Sequence, residues 1–219
     1  MKIVSFSDIH GNFAVFQKTR KILYDTDIVI LSGDITHFGN HKDTLIGINE
    51  LKKYFHKDIL AVTGNCDLKS AEAPLNDLEI NLSEQVIEKN GFLFSGLKGS
   101  LVTPFSTPNE FLESDYEKML SKIEKKLKKE IPLVFVSHQP PFDCGCDIIS
   151  SGLKTGSRTV RKFIEKNCPV VCFTGHIHEA FGTGKIGNSV ILNPGQANMG
   201  RVGVLEFENG NYNIYIENF

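Results

Sequence analysis

Five short apolar runs constrain this chain most, because each of them closes on a side chain able to bind a metal ion. Lys2-Ile3-Val4-Ser5-Phe6-Ser7 leads into Asp8 and His10, Asp27-Ile28-Val29-Ile30-Leu31-Ser32-Gly33 into Asp34, and Asp58-Ile59-Leu60-Ala61-Val62-Thr63-Gly64 into Asn65. Pro132-Leu133-Val134-Phe135-Val136-Ser137 leads into His138, and Pro169-Val170-Val171-Cys172-Phe173-Thr174-Gly175 into His176 and His178. The runs are rich in β-branched residues and nearly continuous in apolar ones. That is the pattern of strands buried on both faces, as in a parallel sheet covered by helices. Helical spacing lies between them: Phe13, Phe16, Arg20 and Leu23 share one side after the first run, and Leu45, Ile48, Leu51 and Phe55 after the second. Strands alternating with helices predict an α/β core. Parallel strands carry loops of the same sense to one edge, so the five polar endings are expected together at the carboxyl edge, where open α/β sheets bind ligands.

Two other segments read differently. Asn81 to Ser95 predicts a hairpin with Asn90-Gly91 at its turn. Gly184 to Phe219 predicts short antiparallel strands turning at Gly187-Asn188 and Asn209-Gly210, and hence a second sheet beside the first. Between these segments a helix is expected over about 109 to 130. Thr107-Pro108-Asn109-Glu110 reads as its capping box, and Leu112, Tyr116, Met119, Ile123 and Leu127 as its buried stripe.

Length and composition set the outer bounds. The 219 residues suit one domain spanning 1–219, and 41% hydrophobic with 23% charged residues is ordinary globular usage, which excludes a disordered or coiled-coil chain. A net charge of −2 gives no general attraction to nucleic acid. No signal-peptide pattern precedes Asp8 and no apolar run approaches the roughly 20 residues that cross a bilayer, so a cytoplasmic protein is expected. Five cysteines without a secretion signal then read as free thiols, Cys144 and Cys146 as loop thiols rather than a bridge or a metal site.

Pooled at one edge, Asp8, His10, Asp34, Asn65, His138, His176 and His178 combine carboxylate, imidazole and amide oxygen, which suits borderline divalent ions such as manganese, iron or zinc. Seven donors exceed one tetrahedral site and match two ions sharing a carboxylate. The i, i+2 spacing of Asp8 with His10, and of His176 with His178, lets each pair face one side of an extended turn. Two dications against two aspartates leave a net positive site. Such a site attracts an anion, and a hydroxide held between ions about 3.5–4 Å apart is aimed for in-line attack on phosphorus. Taken singly, Gly33-Asp34 reads as a turn and one buried histidine as a hydrogen-bonded core residue; the set carries the inference.

These motifs, Asp8-Ile9-His10, Gly33-Asp34, Gly64-Asn65-Cys66-Asp67, His138 and Gly175-His176-Ile177-His178, resemble in order and spacing those of the calcineurin-like metallophosphoesterase superfamily over residues 8 to 178. The chain length, the Gly-Asn-Cys-Asp form and Asn193-Pro194-Gly195 are similar to its small single-domain prokaryotic phosphodiesterase branch. The resemblance implies a four-layer αββα sandwich with two mixed β-sheets flanked by helices. It implies Asp8, His10, Asp34 and His178 at one ion, and Asp34, Asn65, His138 and His176 at a second, with Asp34 bridging and Asn65 touching the substrate phosphate. It implies two divalent ions, manganese first with iron or zinc as alternatives, and a small phosphate ester, a diester before a monoester. Many members carry histidine where this chain has Cys66, a position associated with protonating the leaving group. A neutral thiol substitutes poorly for that acid, so Cys66 reads as a small residue that opens the pocket before it reads as a chemical group.

Thr155-Gly156-Ser157-Arg158 opens a further helix. Its N-terminus with Arg158 is a candidate phosphate contact, weighed evenly against an ordinary cap. His37 and His41 read as surface histidines, and the lysines from Lys118 to Lys129, interleaved with glutamates, as a solvated face. The competing function is a protein-binding scaffold that kept this fold and lost the chemistry, a reading that would tolerate loss of the ligand residues.

Overall fold

The computed structural model describes all residues from Met1 to Phe219. Its strands are β1 (Lys2–Phe6), β2 (Ile28–Ser32), β3 (Asp58–Val62), β4 (Val86–Lys89), β5 (Phe92–Leu97), β6 (Ser100–Leu101), β7 (Glu110–Phe111), β8 (Leu133–Ser137), β9 (Val171–Phe173), β10 (Gly182–Ile186), β11 (Ser189–Asn193), β12 (Arg201–Glu208) and β13 (Asn211–Asn218). The helices are α1 (Val15–Lys18), α2 (Arg20–Tyr24), α3 (His41–Lys52), α4 (Ala73–Asp77), α5 (Glu113–Glu124) and α6 (Arg158–Asn167). One sheet runs β13-β12-β1-β2-β3, with β1, β2 and β3 parallel. The other runs β10-β11-β9-β8-β5-β4, with β5, β8, β9 and β11 parallel.

Strand alternation sorts the apolar runs into three cores. In β2, Ile28 and Ile30 turn one way and Val29 and Leu31 the other. The first pair joins Ile3, Leu60, Val62, Phe94, Val134, Val136, Phe173 and Leu192 in a core shared by both sheets. The second pair joins Val4, Phe6, Phe16, Leu23, Ile48 and Leu51 in a core under α1 to α3. On the far side, Leu93, Leu133, Phe135, Cys172 and Ile191 pack under Tyr116, Leu120 and Ile123 of α5 and Val160, Phe163 and Ile164 of α6. Helix, sheet, sheet, helix is therefore the layer order, and each central strand is apolar throughout because both of its faces are covered.

This arrangement corrects the expectation of one parallel sheet with an antiparallel one beside it. The five runs divide between the sheets, β1, β2 and β3 in one and β8 and β9 in the other. The two C-terminal hairpins divide as well, β10–β11 joining the second sheet and β12–β13 the first. The Asn90-Gly91 hairpin forms as expected, with both turn residues at positive φ.

The helix expected over 109 to 130 is α5, Glu113–Glu124, which starts after β7. Glu110 does accept from the Thr107 N–H at 2.8 Å, as a capping box would, but the Asn109 amide donates to Gly64 O at 3.0 Å and ties the segment to the loop after β3. The helix start passes to Leu112, whose N–H donates to Asp115 at 3.1 Å. The helix after β1 is two pieces broken at Thr19, whose hydroxyl donates to Val15 O and Phe16 O, and Arg20 is exposed. Cys144 and Cys146 are free thiols on the loop between β8 and α6, as expected, with their side chains buried in the α5–α6 core. Lys122, Lys128 and Lys166 pair with Glu84, Glu88 and Glu124. No helix is long and apolar enough to cross a membrane.

Candidate metal centre

The parallel pairing of β1 with β2 continues past the ends of the strands. Asp8 N–H donates to Gly33 O at 3.1 Å and His10 N–H to Asp34 O at 2.9 Å, so the two first loops leave the sheet as a hydrogen-bonded pair. The second sheet does the same, Gly175 N–H donating to His138 O at 3.1 Å. A cross-sheet contact locks the two: His176 N–H donates to the Asp8 carboxylate at 3.2 Å. Asp8, His10, Asp34 and His176 all hold positive φ (53°, 48°, 48° and 68°). Aspartate and histidine tolerate this region better than most residues, but four such positions in one cluster store strain that the surrounding hydrogen bonds must hold. Gly64 and Gly175 are required by close approach: a Cβ on the first would collide with the Asp34 carboxylate, and on the second with Ser7 and Asp8.

All seven residues named from sequence meet here. His178 Nε2 lies 3.2 Å from Asp8 Oδ1 and 3.4 Å from His10 Nε2. His138 Nε2 lies 3.0 Å from Asn65 Oδ1 and 3.4 Å from Asp34 Oδ2. Asp34 Oδ2 also faces His10 Nε2 at 3.8 Å, so one oxygen looks toward members of both expected sets. Asp8 Oδ1 shares that position, 3.9 Å from both His10 Nε2 and His138 Nε2. His176 stands behind, its ring 5.4 Å from that of His138. Asp8, Asp34, Asn65 and His138 are buried.

The hydrogen-bond roles show what this cluster lacks. His138 Nδ1 lies 2.8 Å from the Ser32 carbonyl and must donate to it, which in the neutral ring leaves a lone pair on Nε2. That lone pair faces the oxygens of Asn65 and Asp34. Asn65 cannot turn its amide to help, because its Nδ2 donates to Thr107 Oγ1 at 3.0 Å. His10 Nδ1 is buried without a partner. With His138 neutral, acceptors face acceptors, an arrangement that a proton or a metal ion among them relieves, and two carboxylates, four imidazoles and an amide oxygen fit divalent ions. Ligand atoms of Asp8, His10 and His178 lie within 4.8 Å of one another, as do those of Asp8, Asp34 and His138, and those of His10, Asp34 and Cys66.

Electrostatics agrees. Burial alone would raise the two aspartates, but His178 and His138 hold both below the usual carboxylate range. Burial would lower His138, yet Asp34 and Asp8 outweigh it and push the ring up to about 9. Burial and the neighbouring His138 push His176 down to about 4. A proton on His138 does in the free protein what a metal ion would do in the loaded one.

Three further residues shape the site. Asp67, fully buried, accepts from Thr36 N and Oγ1, Ile35 N and Gly64 N, clamping the loops after β2 and β3 together. Burial and the nearby Asp34 push its carboxyl up to about 6. It stands in the Gly-Asn-Cys-Asp motif, which was the available signal for it. Cys66 donates its N–H to Asp34 Oδ1 at 2.8 Å, and burial with the Asp34 charge raises its thiol well above its ordinary range. Thr107, whose hydroxyl accepts from the Asn65 amide, was legible only as part of a helix cap and carried no signal for the site.

The phosphate contact considered at the start of α6 is replaced by the chain's own carboxylate. Glu113 accepts from Arg158 N at 2.8 Å, Thr159 N at 3.1 Å and Ser157 Oγ at 2.7 Å, while Ser157 caps Val160 N–H. The Arg158 guanidinium lies 3.9 Å over the Phe142 ring instead of against any of the seven residues. His37 is exposed with its ring 5.6 Å from that of His10, and His41 begins α3 without joining the cluster.

Comparison with known proteins places this geometry. The chain is 36% identical over 198 residues to an uncharacterized protein of Methanocaldococcus jannaschii, covering 89% of this chain and 88% of that one. Its fold matches a dimetal phosphatase from Danio rerio with a TM-score of 0.69 at 10% identity, covering 100% of this chain and 96% of that one. It also matches a novel archaeal phosphodiesterase with a TM-score of 0.52 at 19% identity, covering 99% of this chain and 100% of that one. Residues 1–180 match the sequence profile of the calcineurin-like phosphoesterases, and the chain belongs to that family.

Proposed function

We propose that this protein is a two-metal hydrolase of small phosphate esters, diesters before monoesters. The observation that carries the reading is the cluster of two buried carboxylates, four imidazoles and an amide oxygen, with Asn65 Oδ1 at 3.0 Å and Asp34 Oδ2 at 3.4 Å from His138 Nε2, beside His10 Nε2 at 3.4 Å from His178 Nε2. Asp8, His10, Asp34 and His178 would hold one ion and Asp34, Asn65, His138 and His176 the other, Asp34 being shared. Manganese suits the donor set, with iron or zinc as alternatives. Such ions, when bound, offset the charge of a phosphate ester and bring a coordinated water to a pKa of roughly 7.

The chain's own groups do the rest. Ser32 O fixes the His138 ring, and Thr107 fixes the Asn65 amide with its oxygen inward, so both stand oriented before any ion or substrate arrives. Cys66 N–H holds Asp34 Oδ1 and leaves Oδ2 free. The Cys66 thiol, raised by burial and by Asp34, is a poor proton donor. Without an acid beside Asn65, esters whose leaving group departs without a proton should react best, which favours activated esters. The substrate contact rests on Asn65, since Glu113 takes the α6 N-terminus and Phe142 carries Arg158. A scaffold protein would have no use for two buried aspartates facing four imidazoles, an arrangement that costs stability unless charge is supplied. Five free thiols fit a reducing, cytoplasmic setting.

The test is hydrolysis of bis(p-nitrophenyl) phosphate. Activity should vanish on exhaustive chelation and return with Mn²⁺. Full hydrolysis by metal-free protein would overturn the proposal.

A further inference from the structure

Of the 16 phenylalanines, Phe38, Phe105 and Phe181 are exposed, and the others are buried or half-buried. All three stand on loops tied to the metal centre. Phe38 lies four residues after Asp34, and its N–H donates to Cys66 O at 2.9 Å. Phe105 is on the loop whose Thr107 holds the Asn65 amide at 3.0 Å. Phe181 follows the turn of His178 to Ala180. Asn65 and Cys66 thus have an exposed phenylalanine loop anchored on each.

Phe38 carries the strongest signal. It is 49% exposed and holds φ at 55°, a left-handed backbone that glycine or asparagine would adopt with less strain. Neither burial nor backbone preference accounts for a phenylalanine there. Its ring contacts His37 (centroids 4.7 Å), His37 contacts His10 (5.6 Å) and His10 contacts His178 (5.3 Å), so a chain of rings runs from the metal-binding histidines out to Phe38. Phe105 is 82% exposed. Phe181 is already covered by the Arg201 guanidinium, 3.7 Å over its ring.

Resting on the function proposed above, we infer that Phe38 and Phe105 form an aromatic rim that selects esters carrying a planar ring, in particular a nucleoside. The phosphate is held among the seven polar side chains, so the organic group of the ester must project over the loops that surround them. Aromatic faces on those loops stack on flat heterocycles of any sequence and offer little to a small alkyl group. Ring stacking of this kind is worth roughly fivefold to 150-fold in affinity, and a ring used on one exposed face belongs at the low end.

The test is equilibrium binding to the Mn²⁺-loaded protein, with adenosine 5′-monophosphate, methyl phosphate and decyl phosphate as probes. Wild type should bind the nucleotide about fivefold to tenfold tighter than methyl phosphate. The ratio should fall in Phe38→Ala and in Phe105→Ala, approach one in the double variant, and persist in Phe38→Trp. Tyr24→Ala removes an exposed ring at the end of α2 and should leave it unchanged. Phe38→Gly relieves the backbone, so it should lose selectivity while melting no lower than wild type; a lower melting temperature would assign the ring to the fold and overturn the inference. A ratio near one in wild type, or one that survives the double variant, overturns it, as does decyl phosphate binding as tightly as the nucleotide. Because binding is read without turnover, loss of the ratio and absence of hydrolysis are separate results, the first against the rim and the second against the proposed reaction.

Discussion

Asp34→Asn should be the most damaging isosteric change in the site. The carboxylate is 2% exposed, its Oδ1 accepts the Cys66 N–H at 2.8 Å, and its Oδ2 faces His138 Nε2 at 3.4 Å and His10 Nε2 at 3.8 Å. An amide keeps the size and one acceptor, so the loops should still close. What is lost is one negative charge that both proposed ions would see. At a separation of about 4 Å and an effective dielectric of about 20, each unit of opposing charge is worth about 4 kcal/mol, or roughly 10³-fold in affinity. The metal-free variant should be less stable than metal-free wild type, because His138 loses the carboxylate that pairs with its proton and Asp34 is the partner that holds that ring charged. The difference appears on adding metal. Filling one site to 100 times its Kd stabilises by about 2.7 kcal/mol, which for a chain of this size raises Tm by about 5–10 °C. Wild type should show that rise with Mn²⁺ and Asp34→Asn should show almost none. His10→Ala, which touches one expected set, should keep part of the rise and more of the hydrolysis. An Asp34→Asn protein that binds two ions with unchanged midpoints would refute the shared-ligand reasoning.

Cys66→His should raise turnover of alkyl phosphate esters more than that of nitrophenyl esters, within the roughly 10²–10⁴-fold that a general acid supplies; an equal rise on both, or none, would show that the missing acid does not set substrate preference. Glu113 caps α6, and its carboxyl is held below its ordinary value because hydrogen bonds from Thr159, Ser157 and Arg158 outweigh the effect of burial. A depressed acid stabilises the fold above its unfolded pKa and loses that contribution as pH falls through the folded one. Urea unfolding at neutral pH should therefore find Glu113→Gln less stable by about 0.5–1 kcal/mol, with the gap closing in acid below the ordinary glutamate range. A gap that widens in acid would reverse the assignment.

The strands and the ligand set were legible for one reason. A strand covered on both faces must be apolar throughout, so its end is marked by the first polar side chain, and in this fold those first polar side chains gather into the candidate site. The division of strands between two sheets was not legible, because Ile28-Val29-Ile30 and Val134-Phe135-Val136 carry the same pattern and nothing local says which neighbour either will pair with. The capping-box reading of Thr107 and Glu110 identified a real contact and the wrong element: Asn109 reaches the Gly64 carbonyl, and that long-range bond pulls the segment into β7. The helix start at Arg158 failed as a phosphate site for a similar reason, its occupant Glu113 lying 45 residues away. The strain at Asp8, His10, Asp34, Phe38 and His176 was also hidden, since none of these residue types announces a positive φ as glycine does.

The account stands most directly on how many ions the protein holds when it works. Metal-free protein should be titrated with Mn²⁺ while bound metal and hydrolysis of bis(p-nitrophenyl) phosphate are read in parallel, the former by native mass spectrometry. The predicted result is two ions per chain at saturation in wild type, one or fewer in Asp34→Asn, and hydrolysis that rises to its plateau only as the second ion binds. Full hydrolysis with one ion per chain, or with none, would contradict it.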